Sequence, residues 1–204
     1  MNDSSKSRFY GAKTIVFWQF EECPIPIPDD IISDEVEANI SSAIRDMGYY
    51  GPVTMRAYGD IYKLQRECCG FLIFYATSET TQDKILVDLL GQAVFWPRDS
   101  PINLMLIVGD ISRHAGLLNA IDTLVAHGNF NIILSQPQNV ASGQPPYGVD
   151  KWLWEDLAVN GKVKLCEDLA GEDLAGEYLV REDLAREDLA GEDLAVDGKV
   201  IPWI

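Results

Sequence analysis

The chain has 204 residues, of which 47% are apolar, and it carries a formal net charge of −16 at neutral pH. That length suits one domain with a sizeable core plus an appendage, and the apolar fraction excludes a wholly disordered chain. Because 32 acidic residues face 16 basic ones, the average field repels polyanions and disfavours long-range capture of nucleic acid. Any binding of RNA must therefore depend on short-range contacts of this chain or on a partner molecule.

The sequence shows no membrane or secretion signal. No stretch has the features of a signal peptide, and no apolar run approaches the roughly 20 residues needed to span a bilayer. We therefore expect a cytoplasmic protein without a membrane span. The 4 cysteines show no CxxC spacing, which argues against a zinc site and favours reduced thiols.

The most informative stretch, residues 13–26, reads KTIVFWQFEECPIP. Its run of β-branched and aromatic residues predicts a strand that is buried on both faces of a sheet. Gln19, Glu21 and Glu22 follow at the carboxyl end of this strand, and prolines then prevent its continuation. Because open α/β sheets build their sites at that end of the strands, the two acids are candidates for chemistry.

Helix and strand patterns then alternate along the chain. Helical spacing of apolar residues begins after the capping residue Ser33 and stops at Gly48, and it recurs from near Asp83 and over residues 117–125. Further strands are predicted at residues 53–58, 70–75, 104–108 and 130–134. The alternation predicts an α/β fold, a Rossmann-like three-layer parallel sheet. No glycine-rich phosphate-binding motif follows a strand, so no dinucleotide site is predicted.

Composition divides the chain into five segments. A flexible N-terminus (residues 1–11) precedes an α/β domain (12–138), and a linker (139–150), a tryptophan-containing docking segment (151–164) and an acidic tail (165–204) follow. The tail repeats the pentapeptide EDLAG or EDLAR. On a helix, this period turns each leucine by about 140° from the last, so the leucines form no stripe. We expect a solvated, partly helical tail, and the alternative is an acidic tail that docks a protein partner.

Acidic residues lie at three element ends that should meet at one end of the sheet. Glu21 and Glu22 follow the first strand, Asp83 opens a helix, and Asp110 follows the fourth strand. Carboxylates that converge there are suited to Mg²⁺ or Mn²⁺, which can activate water and stabilise charge during phosphodiester hydrolysis. These residues are the predicted site.

Several segments resemble the NYN domain, a PIN-like nuclease module, of the plant group related to limkain-b and the meiosis regulator and mRNA stability factor. The resemblance covers residues 13–163 and rests on FWQFEECPIP, YYGPVTMRAYGD, DKILVDLL, LMLIVGD, FNIILSQP and WLWEDL. It implies a PIN-like fold over residues 12–138 and, in active members, a metal-dependent endoribonuclease. It also implies a role in RNA regulation, with single-stranded RNA as a partner. Some relatives are associated with peroxisomes, so the resemblance implies the peroxisome as the alternative to a cytoplasmic location.

Position by position, the resemblance implies catalytic and metal-binding roles for Glu21, Asp83 and Asp110. Glu21 matches the glutamate of a family pattern like FWDIENCPVP, and Asp110 matches the first aspartate of a pattern like SGDRDF. Glu22 replaces the asparagine of the first pattern and is a further catalytic candidate. Mg²⁺ or Mn²⁺ is the cofactor that the resemblance implies for an active enzyme.

The sequence departs from the family pattern at two carboxylates. Gln19 stands where the first strand of the family ends in aspartate, and Ser112 stands where the second aspartate of the other pattern would be. The affinity of such a site depends on its charge, so each replacement weakens it. We therefore favour an NYN fold with impaired or absent nuclease activity that acts by binding. The alternatives are an active nuclease with a rearranged site and an interaction protein that uses its acidic tail.

Overall fold

The computed structural model describes residues 7–25, 33–60, 62, 71–140 and 149–161. The strands in these ranges are β1 Lys13–Gln19, β2 Val53–Gly59, β3 Phe71–Tyr75, β4 Ile102–Ile107, β5 Phe130–Gln136 and β6 Asp150–Leu153. The α-helices are α1 Ser33–Asp46, α2 Thr81–Phe95, α3 Ala115–His127 and α4 Trp154–Asn160. No helix among the described residues is both long and apolar enough to cross a membrane.

All six strands form one parallel sheet in the order β3-β2-β1-β4-β5-β6. This is the order of a doubly wound α/β sheet, so the predicted α/β class with a parallel sheet is confirmed. The chain proceeds from β1 to one side of the sheet and resumes on the other side with β4. The carboxyl ends of β1 and β4 therefore flank the switch point, where sheets of this kind bind ligands.

Two apolar cores cover the two faces of the sheet. Val16 and Trp18 of β1 pack with α1 and α4 in one core, whereas Ile15 and Phe17 pack with α2 and α3 in the other. Successive side chains of a strand point to opposite faces, so a central strand needs apolar residues at every position. The uninterrupted apolar run of β1 meets this requirement.

The structure differs from the predicted boundaries at several places, and among the strands β4 begins two residues earlier and β5 ends two residues later than predicted. Helix α2 begins at Thr81, just ahead of the predicted start near Asp83, and Phe9 of the predicted flexible N-terminus is buried in a core. The predicted docking segment supplies the sixth strand and α4, because Trp152 and its neighbours pair with β5. The acidic tail at residues 165–204 lies outside the described residues.

Candidate functional site

The predicted acidic residues all lie at the carboxyl end of the sheet. Glu21 and Glu22 occupy the turn directly after β1, and Asp110 follows β4 after two residues. Asp83 lies in the first turn of α2, the helix that follows β3. These residues thus lie at the end of the sheet where the order of elements placed them, and the contacts of each side chain decide what the candidate site can do.

Two buried glutamines hold the loop after β4 at the switch point. Gln19 at the end of β1 is 2% exposed, and its Oε1 accepts a hydrogen bond of 3.3 Å from the Gly109 N–H. Gln136 at the end of β5 donates from Nε2 to the Gly109 carbonyl oxygen. The peptide groups at Gly109 are therefore held from both neighbouring strands by neutral amides, an arrangement that we call the glutamine bridge.

Glu22 lies directly over Gly109. A Cβ added at Gly109 would be 2.8 Å from Glu22 Cβ and 3.0 Å from Glu22 Oε2. Any larger residue at this position would therefore displace the glutamate side chain. The close approach places one carboxylate next to the glutamine bridge.

The side chain of Asp110 is hydrogen-bonded within the turn that follows it. The hydroxyl and backbone N–H of Ser112 hydrogen-bond to the carboxylate and hold its pKa below the usual value, and the N–H to Oδ1 distance is 2.8 Å. Gln82 of α2 donates to the Asp110 carbonyl oxygen over 3.1 Å. Ser112, which replaces an expected second acid, therefore acts as the hydrogen-bond partner of the first.

Asp83 is paired with His114 at the start of α3. The distance from Asp83 Oδ1 to His114 Nε2 is 2.9 Å. Nδ1 of the same ring accepts a hydrogen bond from the Leu117 N–H and so caps the helix, which assigns the proton of a neutral ring to Nε2. His114 is thus a donor to Asp83, a partnership that the sequence analysis missed because no local pattern links α2 to α3.

An acidic cleft of about 690 Å³ opens beside the turn after β1. Three glutamates contribute to its lining, together with prolines, polar residues and one indole: Glu21, Glu22, Pro24, Pro137, Gln138, Asn139, Trp154 and Glu155. The carboxylate of Glu155 accepts from the Gln138 N–H at 3.1 and 3.2 Å, which connects α4 to the segment after β5. We call this feature the glutamate cleft.

The glutamate cleft separates the predicted residues into two sets. Glu21 and Glu22 line it, whereas Asp83 and Asp110 are not among its lining residues. Glu21 also accepts from the Ser78 hydroxyl at 3.3 Å. In the part of the chain that the structure describes, no three His, Cys, Asp or Glu side chains form a group that could hold a metal ion.

The fold and the site define an α/β protein with a polar carboxyl end, a glutamine bridge at the switch point and an acidic cleft beside it. Comparisons with protein-family models, with curated proteins and with solved structures gave no match to this chain.

Proposed function

We propose that this protein is a non-catalytic module of the NYN type, which takes part in RNA regulation by binding and not by cutting. The observation that carries the proposal is the glutamine bridge. Gln19 occupies the end of β1, where the resemblance implies an aspartate, and its oxygen accepts from the Gly109 N–H. A buried neutral amide with a structural hydrogen bond thus occupies a position expected for a charged metal ligand.

The neighbouring contacts support the same conclusion. Hard divalent cations are bound by several oxygens, and their affinity depends on how many carboxylates contribute. Asp110 is engaged by Ser112, and Asp83 is engaged by His114. These carboxylates, as placed, fit a divalent ion poorly because their oxygens have separate partners, and we assign no catalytic step to them.

An RNA cleavage assay tests the absence of catalysis. We expect the full-length protein, incubated with labelled single-stranded RNA and Mg²⁺ or Mn²⁺, to give no cleavage above the buffer background. The variants Asp110→Asn and Asp122→Asn remove the same charge, but Asp122 lies on the exposed surface of α3. If the protein and Asp122→Asn cleave RNA while Asp110→Asn does not, the protein is an enzyme and the proposal is wrong.

That outcome would establish the second candidate function, an endoribonuclease that depends on Mg²⁺ or Mn²⁺. One observation favours it: Glu22 lies against Gly109, directly before Asp110, so a glutamate that the resemblance does not require is close to a retained aspartate. In this alternative Glu22 replaces the charge lost at Gln19. Isothermal calorimetry with Mg²⁺ on the same two variants would detect the site independently of cleavage.

The chemistry of the glutamate cleft indicates what the module binds. Three carboxylates near one another repel a phosphate backbone and attract cationic groups. Pro24, an exposed proline of the lining, supplies an apolar surface on which the stem of a lysine or arginine side chain packs. We therefore place a basic segment of a protein partner in the cleft, and RNA regulation would run through that partner.

A titration with a short arginine-rich peptide tests this assignment. The amide resonance of Gln138 is a local probe, because that N–H donates to Glu155 inside the cleft. We expect the peptide to shift this resonance in a saturable manner, and a single-stranded oligouridylate of equal length to leave it unchanged. Glu155→Gln should weaken the apparent affinity about threefold, because one charge at a solvated site is lost.

Asp122→Asn is the matched control, since it changes the net charge equally at an exposed position of α3 that does not line the cleft. Equal weakening by both variants would mean that the peptide senses only the total charge of the protein. A shift of Gln138 by the oligouridylate would show that the cleft binds RNA directly. Either result would reject the assignment of a basic partner while leaving the absence of catalysis to the cleavage assay.

A further inference from the structure

Helix α2 exposes an apolar stripe on the side opposite to the core. Ile85 and Leu89 are buried against the sheet, yet Val87, Leu90 and Val94 are 70%, 43% and 75% exposed. With Gly91, the last three follow the spacing i, i+3, i+4 and i+7, which is the seam that one helix presents to another. We call Val87, Leu90, Gly91 and Val94 the outer stripe.

Gly91 is the unusual member of the outer stripe. Glycine in the middle of a helix costs about 1 kcal/mol relative to alanine, because it loses more backbone freedom. The fold itself does not require it, since a Cβ added at Gly91 would meet nothing within 4 Å. A notch between exposed apolar side chains is, however, what a facing helix needs for close approach.

The outer stripe is complementary to itself when reversed. If two α2 helices pack antiparallel about a two-fold axis between Leu90 and Gly91, Val87 of each copy faces Val94 of the other. The same operation places Leu90 of each copy over the Gly91 notch of its partner. Self-complementarity of this kind is the requirement for an isologous interface. We infer that the outer stripe is a dimer interface and that its occupant is a second copy of this chain.

The dipoles of the two helices agree with this arrangement, because antiparallel helices place the positive end of one helix dipole beside the negative end of the other.

The proposed dimer should be weak and should strengthen with salt. A seam made by one 15-residue helix is smaller than a standard interface, so we expect a dissociation constant of roughly 10 µM. Each copy carries a net charge of −16, and the two copies repel each other at long range. Screening of this repulsion should make the dimer tighter as ionic strength rises from about 0.05 M to about 0.5 M.

Sedimentation equilibrium of the full chain, from roughly 1 to roughly 300 µM, tests the interface. We expect a monomer–dimer equilibrium, and Val94→Lys should weaken it about tenfold or more by placing a charge in the apolar seam. The control is Leu72→Lys, which puts the same charge at a 54% exposed leucine of β3. It should leave dimerisation unchanged.

The variant Gly91→Ala distinguishes an effect on dimerisation from an effect on folding. The added methyl group should raise the thermal midpoint, because alanine favours the helix and meets open space. In the dimer the same group fills the notch that receives Leu90, so the dissociation constant should rise about tenfold. A stabilised monomer that dimerises less well is a combination that a purely structural role of Gly91 does not produce.

Three outcomes would overturn the inference. The first is a monomer over the whole concentration range, which would mean that a second copy does not cover the stripe. The second is a dimer that Leu72→Lys disrupts and Val94→Lys does not, which would move the interface to β3. The third is a dimer that Gly91→Ala tightens.

Discussion

Replacing Trp154 by alanine should lower the free energy of unfolding by about 4 kcal/mol, since deletion of a buried tryptophan removes transfer free energy and leaves a cavity. Trp154 is 1% exposed, and its ring centroid lies 5.6 Å from that of Trp18 on the central strand. Its Nε1 also donates to the Pro24 carbonyl oxygen over 2.7 Å. One side chain thus joins α4, β1 and the turn that carries the predicted acids.

Trp154→Phe is the intermediate control, because it keeps one aromatic ring of the indole and loses the rest together with the hydrogen bond. Phenylalanine keeps an aromatic ring in the core but removes the donor to Pro24, and we expect a loss of about 1.5 kcal/mol. Urea unfolding followed by far-UV circular dichroism measures both variants. A loss below about 1 kcal/mol for Trp154→Ala would mean that α4 is not part of the cooperative core.

The two substitutions also differ at the glutamate cleft, which Trp154 lines. Alanine removes the buried ring beneath the cleft and the hydrogen bond to Pro24, whereas phenylalanine keeps one ring and removes the hydrogen bond. Stability and the shape of the cleft therefore depend on the same side chain. The neighbouring Glu155 belongs to the same short helix, so the anchor also positions a carboxylate of the cleft.

The central strands were predictable from the sequence because their runs of apolar residues match the fully buried environment that they occupy. The apolar run of β1 has no polar interruption, and every residue of that run lies in a core or against one. The sixth strand, by contrast, was not predicted. It has only four residues, and Lys151 within it is 5% exposed, so neither length nor hydrophobicity marks it as a strand.

The positions of the candidate residues were predictable from the sequence, but their contacts were not. Because parallel strands end on the same side of a sheet, the order of elements was enough to bring Glu21, Asp83 and Asp110 to one end of it. The partners of these residues come from distant parts of the chain. Strand order brings Gln136 to the glutamine bridge, and helix packing brings His114 to Asp83. No short motif in the sequence indicates either contact.

The same limit applies to a polar cluster beneath α2 that the sequence analysis did not detect. Nη1 of Arg56 lies 2.5 Å from both carboxylate oxygens of Asp88, and the hydroxyl of Tyr58 donates to Asp88 as well. Burial, together with this hydrogen bond, raises the pKa of Tyr58 above its usual value. The guanidinium group also lies over the rings of Phe17 and Phe74. Asp88 therefore satisfies two groups at the boundary between α2 and the sheet.

We expect Asp88→Ala to destabilise the fold by about 3 kcal/mol, because it leaves a largely buried guanidinium and a buried hydroxyl without their acceptor. The double variant Arg56→Met with Asp88→Leu should recover most of this loss, since removal of both charges also removes the unpaired one. Asp122→Asn on the surface should change stability by less than about 0.5 kcal/mol. Urea unfolding of the parent, of these variants and of the single variants Arg56→Met and Asp88→Leu measures the coupling. If the double variant is as unstable as the sum of its single changes, Asp88 supports α2 by packing and the ion pair adds nothing.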